Sequence, residues 1–220
     1  MNARPWFVIP FFAVLLAPVA KAQVSARNTD LPADMRSIAG LVVNRDSALS
    51  VKAKLGATRE RMSGSGHDVL LVWCYVTADS SLLELMSDRS GMGTDGKALN
   101  VIRLRARYPA SQGAGCGRLS TKVPLSTPGG LRLGLTRSEA TARLGRPARQ
   151  VADSFVYEFS GKEFMKPGSS EYKSWNTPER RKSCFEGGAP YSNVWATAIL
   201  VFHETRAVEL RLERYDQATC

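Results

Sequence analysis

Histidine is nearly missing from this chain: 220 residues hold two, His67 and His203. His67 sits in a Ser/Gly run and His203 between two apolar runs, so both read as exposed turn residues rather than acid–base catalysts. The patterns that carry nucleophilic or phosphate chemistry are missing as well. Gly64-Ser65-Gly66 lacks the strand–turn–helix setting of a nucleophile elbow, and no dinucleotide or phosphate loop occurs. No C-x-x-C pair is present, which argues against a zinc framework. The loop from Asp88 to Asp95 has two carboxylates but not the calcium-loop spacing. No catalytic residue, cofactor or metal ligand is assigned, and a hydrolase is only a minor reading.

Long apolar runs are scarce, and the clearest is at the N-terminus. Arg4 precedes an apolar stretch from Phe7 to Val19, too short to span a bilayer comfortably, and Ala20-Lys21-Ala22 has the small-x-small form of a cleavage site. Met1–Ala22 therefore reads as a signal peptide cleaved after Ala22, which predicts a periplasmic or secreted protein. No cysteine follows the apolar run closely, so a lipoprotein box is lacking.

Acid is the scarcer charge: 20 acidic residues against 30 basic ones give a formal charge of +10. In an exported chain this balance favours an acidic protein partner, or an anionic envelope polymer or lipid, over nucleic acid.

What the sequence does hold is a grammar used twice. In Gly130–Phe159, Leu131 to Leu135 alternates as a half-buried strand edge. Thr136 with Glu139 makes a capping box for a helix Arg137–Leu144. Gly145 suits a left-handed helix end, and Pro147 cannot continue the helix. Ser154–Phe159 then alternates as a strand. The earlier copy runs Ser37–Val43, Ser47 as cap, helix Ala48–Leu55, Gly56, and a strand Val69–Val76. That strand is apolar enough to be central and covered on both faces. Ser50 stands where Glu139 completes the box, so the first helix is less well capped.

Each copy closes on two more strands. Leu82–Met86 and Ala98–Tyr108 flank the turn Asp88–Lys97, and Trp195–Phe202 and Ala207–Tyr215 flank the tight turn His203–Arg206. Aligning Arg107-Tyr108 with Arg214-Tyr215 puts the apolar alternation out of phase, which predicts a bulge or a one-residue slip in one terminal strand. The chain divides into a signal peptide (1–22), a loose lead-in (23–36), unit one (37–118), a linker (119–129), and unit two (130–220) with an insertion at 161–193. The fold class is α+β: two tandem units, each a short helix packed on an antiparallel sheet. Cys74, Cys116, Cys184 and Cys220 predict two disulfides in an oxidising compartment. Three pairings are open, and Cys74–Cys116 with Cys184–Cys220 is preferred because each bond then closes one unit.

Candidate binding residues lie outside that grammar. Arg103, Arg105 and Arg107 alternate with Ile102, Leu104 and Ala106, which places three guanidiniums on one sheet face. That face is either solvated or a binding surface in which Tyr75, Tyr157 and Trp195 add contact area. Core burial is expected of Trp73 and Phe155. The insertion carries Tyr172, Trp175, Arg180 and Arg181, and reads as a recognition loop or as a plain surface loop.

The string Gly130-Leu-Arg-Leu-Gly-Leu-Thr-Arg-Ser-Glu-Ala-x-Ala-x-Leu-Gly-x-Pro147, followed by Val156-Tyr157-Glu158-Phe159, resembles the repeat of the β-lactamase inhibitory protein family. It is also similar to the SmpA/OmlA outer-membrane-assembly lipoproteins. The resemblance covers most of Leu41–Tyr108 loosely and Gly130–Tyr215 better. It implies tandem helix–sheet units with a sheet face exposed for protein contact and no catalysis. The missing lipoprotein box departs from the second branch, and none of the inhibitor's contact residues carries over. The expected function is an exported protein-binding module, an inhibitor or immunity-type protein. The alternative is an envelope-assembly or cell-wall-associated structural factor.

Overall fold

A computed structural model describes residues 31–64, 69–88, 98–180 and 190–218. The signal segment, His67, most of the Asp88–Lys97 turn, Arg181, Cys184 and Cys220 lie outside the described residues.

The N-terminal part forms a hairpin, β1 (Ser37–Ile38) and β2 (Leu41–Val42), turned by Ala39 and Gly40 at positive φ. Helix α1 (Ala48–Leu55) follows, then β3 (Glu60–Ser63), β4 (Leu70–Val76), β5 (Leu82–Asp88) and β6 (Val101–Arg105). A short turn of helix, α2 (Ala110–Gly113), leads to β7 (Gly117–Arg118). The second half runs α3 (Arg137–Leu144), β8 (Arg149–Val151), β9 (Ser154–Phe164), α4 (Ser170–Trp175), β10 (Tyr191–His203) and β11 (Arg206–Ala218). Nine strands make one sheet in the order β3-β4-β5-β6-β11-β10-β9-β8, with β7 beside β4. Every pairing is antiparallel except β4 with β7. The protein is thus α+β, mostly antiparallel sheet with few helices.

Local chemistry accounts for the two main helices. Thr136 Oγ1 accepts from the Glu139 N–H at 3.2 Å while Glu139 Oε2 accepts from the Thr136 N–H at 2.7 Å, closing the capping box. Ser47 offers α1 one weaker bond, 3.5 Å from the Ser50 N–H. Both helices stop at glycines with φ of 87° (Gly56) and 77° (Gly145). Their ψ angles are extended, −179° and −160°, so they occupy the region open essentially to glycine alone rather than the left-handed helical one expected.

One core lies on the helix side of the sheet. Trp73, Tyr75, Leu83, Leu85, Ile102, Leu104, Phe155, Phe202, Leu210 and Leu212 belong to a single buried cluster that draws on both halves. Val51 of α1 and Ala140 of α3 pack into it. The Tyr75 hydroxyl donates to the Gly56 carbonyl at 2.8 Å, tying the end of α1 to β4. Arg137 of α3 lies 4.6 Å from the Phe202 ring centroid and 5.9 Å from that of Phe155.

Several expectations need correction. Leu131 to Leu135 is not a strand: positive φ at Gly130 and Gly134 bends it between isolated bridges, and Leu131 and Leu135 are buried. The lead-in is not loose from Leu31 onward, because Leu31 and Met35 sit in the core. The linker packs as well. Leu119 and Thr127 are buried, and the Gly129 N–H donates to the Asp34 carbonyl at 2.8 Å. A Cβ on Gly129 would stand 2.4 Å from Met35 Cε and 2.5 Å from Asp34 Oδ2, so a larger residue here would have to displace those side chains. Strand β4 is covered on both faces over Val72–Tyr75, but it lies next to an edge rather than at the centre. Gly161–Phe164, assigned to the insertion, continues β9, and β10 begins at Tyr191. The bulge is real: the β10–β11 register shifts between Val201, opposite Glu209, and Phe202, opposite Ala207.

Candidate functional site

Pleating divides the sheet residues between two faces. Ala196, Ala198, Leu200 and Phe202 of β10 turn to the core, so Trp195, Thr197, Ile199 and Val201 turn to the face opposite α1 and α3, the face on which Gln112 of the short α2 meets Arg105. By the cross-strand register this second face also carries Glu84, Arg103, Arg105, Glu209, Arg211, Glu213, Tyr215 and Glu158.

The arginine strand is where the expectation and the structure part. Arg103 and Arg105 share a face, but neither guanidinium is presented to a partner. Arg103 makes a two-pronged contact with Glu209, Nε–Oε1 and Nη2–Oε2 both at 2.8 Å. Arg105, whose side chain is 11% exposed, donates to Glu84 Oε2 at 2.8 Å and to Gln112 Oε1 at 2.6 Å. Glu84 also stands 3.9 Å from Arg103 Nη1. Beside them Arg211 pairs with Glu213. The middle of the face is therefore a ladder of alternating charge paired within the chain, with the buried Arg105 Nε making no hydrogen bond. Arg107 does not belong to the ladder, because β6 ends at Arg105.

The aromatic candidates separate too. Tyr157 is 2% exposed: it shares the core face with Phe155, 6.5 Å from it edge to face, and burial pushes its phenol pKa up. It is a core residue and not a contact residue. Tyr75 is likewise buried. Tyr172 and Trp175 are half-buried on α4, and the Arg180 guanidinium stacks 4.0 Å from the Trp175 ring centroid. The structure thus brings Trp175 and Arg180 together in a cation–π contact.

Of the aromatic candidates Trp195 stays on the surface, 44% exposed, and directly across from it on β11 stands Tyr215, 37% exposed; Phe164 at the end of β9 is 61% exposed. Sequence reading missed Tyr215. The signal was available, since it continues the Glu209, Arg211, Glu213 alternation against buried Leu210 and Leu212. Two exposed rings opposite each other in the strand register make an amphipathic contact patch of the kind that anchors protein interfaces.

On the other side, an open groove of about 760 Å³ separates the 42–45 segment from the ends of β9 to β11. Its deepest cation, Arg214, pairs with Glu163 and lies 3.5 Å from Asp216, which Asn44 also contacts. Among the described residues no group of three or more His, Cys, Asp or Glu is placed to hold a metal ion, and no helix is long and apolar enough to cross a membrane.

Cys74 of β4 and Cys116, just before β7, are joined by a disulfide with Cα atoms 4.9 Å apart. The bond fixes β7 against β4, where Gly117 and Arg118 pair with Tyr75 and Val76. Comparison with protein-family models, with curated proteins and with solved structures finds no match to this chain.

Proposed function

We propose that this chain is an exported, non-catalytic protein-binding module, of inhibitor or immunity type, that receives its partner on the sheet face opposite α1 and α3. The observation that carries this reading is the exposed Trp195–Tyr215 pair on that face. Rigid aromatic anchors of this kind supply much of the affinity at protein interfaces, at small cost in conformational entropy. The charge of +10 favours an acidic partner. The tandem-unit reading, and with it the resemblance to the β-lactamase inhibitory protein family, draws support from the strand order. The run β3-β4-β5-β6 meets β11-β10-β9-β8 in reverse, each preceded by a helix of eight residues. Export agrees with the N-terminal sequence and with the Cys74–Cys116 bond.

The test is affinity capture from periplasmic and secreted fractions with the wild-type chain and with W195A/Y215A. The wild type is expected to retain one acidic protein in stoichiometric amount. The double variant should lose it by about thirtyfold or more in Kd, taking at least 2 kcal/mol for an aromatic anchor. Recovery of only wall polymer or lipid, or full retention by W195A/Y215A, would sink the reading.

A further inference from the structure

The groove between the 42–45 segment and the ends of β9 to β11 lies on the core side of the sheet, away from the ring pair. Glu163, Ser192, Arg214 and Asp216 are in phase with Ala196 in the strand register, so the pleat turns all four toward it. Its volume of about 760 Å³ is that of a ligand site. Its charges do not balance. Four cations line it, Arg36, Arg45, Lys166 and Arg214, against two carboxylates, Glu163 and Asp216. Both carboxylates are committed to Arg214, and Asp216 also to Asn44. Arg45 stands on one wall and Lys166 on the other. Both are exposed, and neither makes an ion pair or a side-chain hydrogen bond among the described residues.

The wall that carries Lys166 also carries Phe164, whose ring is 61% exposed. That ring is tilted against Tyr191, with centroids 5.9 Å apart, and Tyr191 is itself buried. A ring with no polar atom, backed by a buried neighbour and left in water, gains from a ligand that covers it. On the facing wall Val42 is half-buried, and Met165 lies buried between. The lining thus alternates cation and apolar surface along both walls.

We infer that the groove binds an extended acidic peptide segment of a partner protein, with two carboxylates three residues apart around an apolar pair. An extended chain turns successive side chains to opposite sides. A first carboxylate therefore meets Arg45, the next two residues meet Phe164 and Val42 on opposite walls, and the second carboxylate meets Lys166. The span from first to fourth residue is about 10 Å. Cations on both walls select the acid, and the ring and the valine select the apolar residues between. An acyl chain fits less well, because Arg214 and Asp216 interrupt the apolar lining and would be left facing hydrocarbon. The groove goes beyond the ring pair: it lies on the other side of the sheet, and no residue of it belongs to that patch.

An NMR titration of the ¹⁵N-labelled full chain tests this. The probe is the acetylated, amidated tetrapeptide Asp-Leu-Leu-Asp, with Asn-Leu-Leu-Asn and Asp-Ser-Ser-Asp as controls. The acidic apolar peptide should shift the amides of residues 42–45 and 162–166 and bind at least tenfold tighter than either control. R45A, K166A and F164S should each weaken it about fivefold, and R45A/K166A at least tenfold. All three side chains are exposed, so circular dichroism should show the fold kept. R45K/K166R should retain the affinity, because both charges remain. W195A/Y215A should bind the peptide like the wild type, so failure of the ring pair and failure of the groove are read separately. No binding at millimolar peptide, equal binding of Asn-Leu-Leu-Asn, or full affinity in R45A/K166A overturns the proposal. Loss of the peptide in W195A/Y215A, which would put it on the ring face, also overturns it. So does its displacement by phosphatidylglycerol but not phosphatidylcholine vesicles, which would mark a lipid site.

Discussion

Glu84 is the residue whose loss should be felt most on the sheet face opposite α1 and α3. Its side chain is 14% exposed and its Oε2 serves Arg105 at 2.8 Å, with Arg103 at 3.9 Å. Replacing Glu84 with Leu leaves Arg105, 11% exposed, facing only the neutral Gln112 amide, while Arg103 keeps Glu209. Stranding one member of a buried pair costs about 3–5 kcal/mol, whereas exposed pairs are worth about 0–1 kcal/mol. Glu84 and Arg105 are both largely covered, so the cost should fall near the lower end of the buried range, about 3 kcal/mol. For a chain of this size that lowers Tm by about 6–12 °C. Thermal denaturation of E84L, R105M and E84L/R105M at pH 7 completes the cycle. The two single variants should be clearly destabilised and the double variant should recover most of the loss, because an apolar pair carries no stranded charge. A Tm within 2 °C of wild type for E84L, or a double variant as unstable as the two losses combined, would show that the ladder does not hold the face together. One practical consequence follows. A charge reversal at Arg105 perturbs the fold, so an affinity lost with it would say nothing about a partner.

Two further outcomes are expected. C74S/C116S opens a loop of 42 residues and should cost about 4 kcal/mol in the chain-entropy model, read as a lowered urea midpoint; an unchanged midpoint would mean that β3 and β7 hold the edge without it. Burial opposes ionisation of Asp46, but bonds from the Val42 N–H (2.7 Å) and Lys54 Nζ (3.0 Å) outweigh it and hold its carboxyl below the ordinary value of 3.8. Its contribution is thus present above the unfolded-state pKa and is lost as pH falls through the lower folded-state value. The Tm gap between wild type and D46N should be full from pH 5 to 7 and close as pH drops below 3.8, and a gap independent of pH would refute the assignment.

How much of this was legible depends on how local the cause is. Ala48–Leu55 and Arg137–Leu144 came out to the residue because caps and stops lie within a few positions of the helix they bound. The short strands β3, β7 and β8 did not, because Glu60–Ser63, Gly117–Arg118 and Arg149–Val151 bury little and are held by the strand beside them. The alternation at Arg103 and Arg105 assigned the correct face. It could not reveal their fate, since the carboxylates that occupy them come from positions 21 and 106 residues away in sequence. Tyr157 was misplaced although the signal was there, since it is in phase with Phe155, and Phe155 was expected in the core. The reach of β9 to Phe164 was hidden because Ser160–Phe164 carries no apolar alternation and is defined by β10 opposite it.

The exposure of Trp195 is a consequence of register and not an oversight of packing. Strand β10 is pinned by Ala196, Ala198 and Leu200, all at most 1% exposed in the core. A slip of one residue would bury Trp195 and push those three onto the solvent face. Small residues at 196 and 198 fit beneath Phe159 and Tyr157, which lie opposite them on β9 and fill the volume that alanines leave. The bulge in β11 lies between Ala207 and Glu209, near the turn, so the register from Val201 to Ser192 is unbroken and Tyr215 stays opposite Trp195. Core packing on one face thus fixes a surface ring pair on the other, and it also fixes which side chains of β9 to β11 turn to the groove. The contact patch and the groove are therefore set by the same pleat, and a change that moves one moves both.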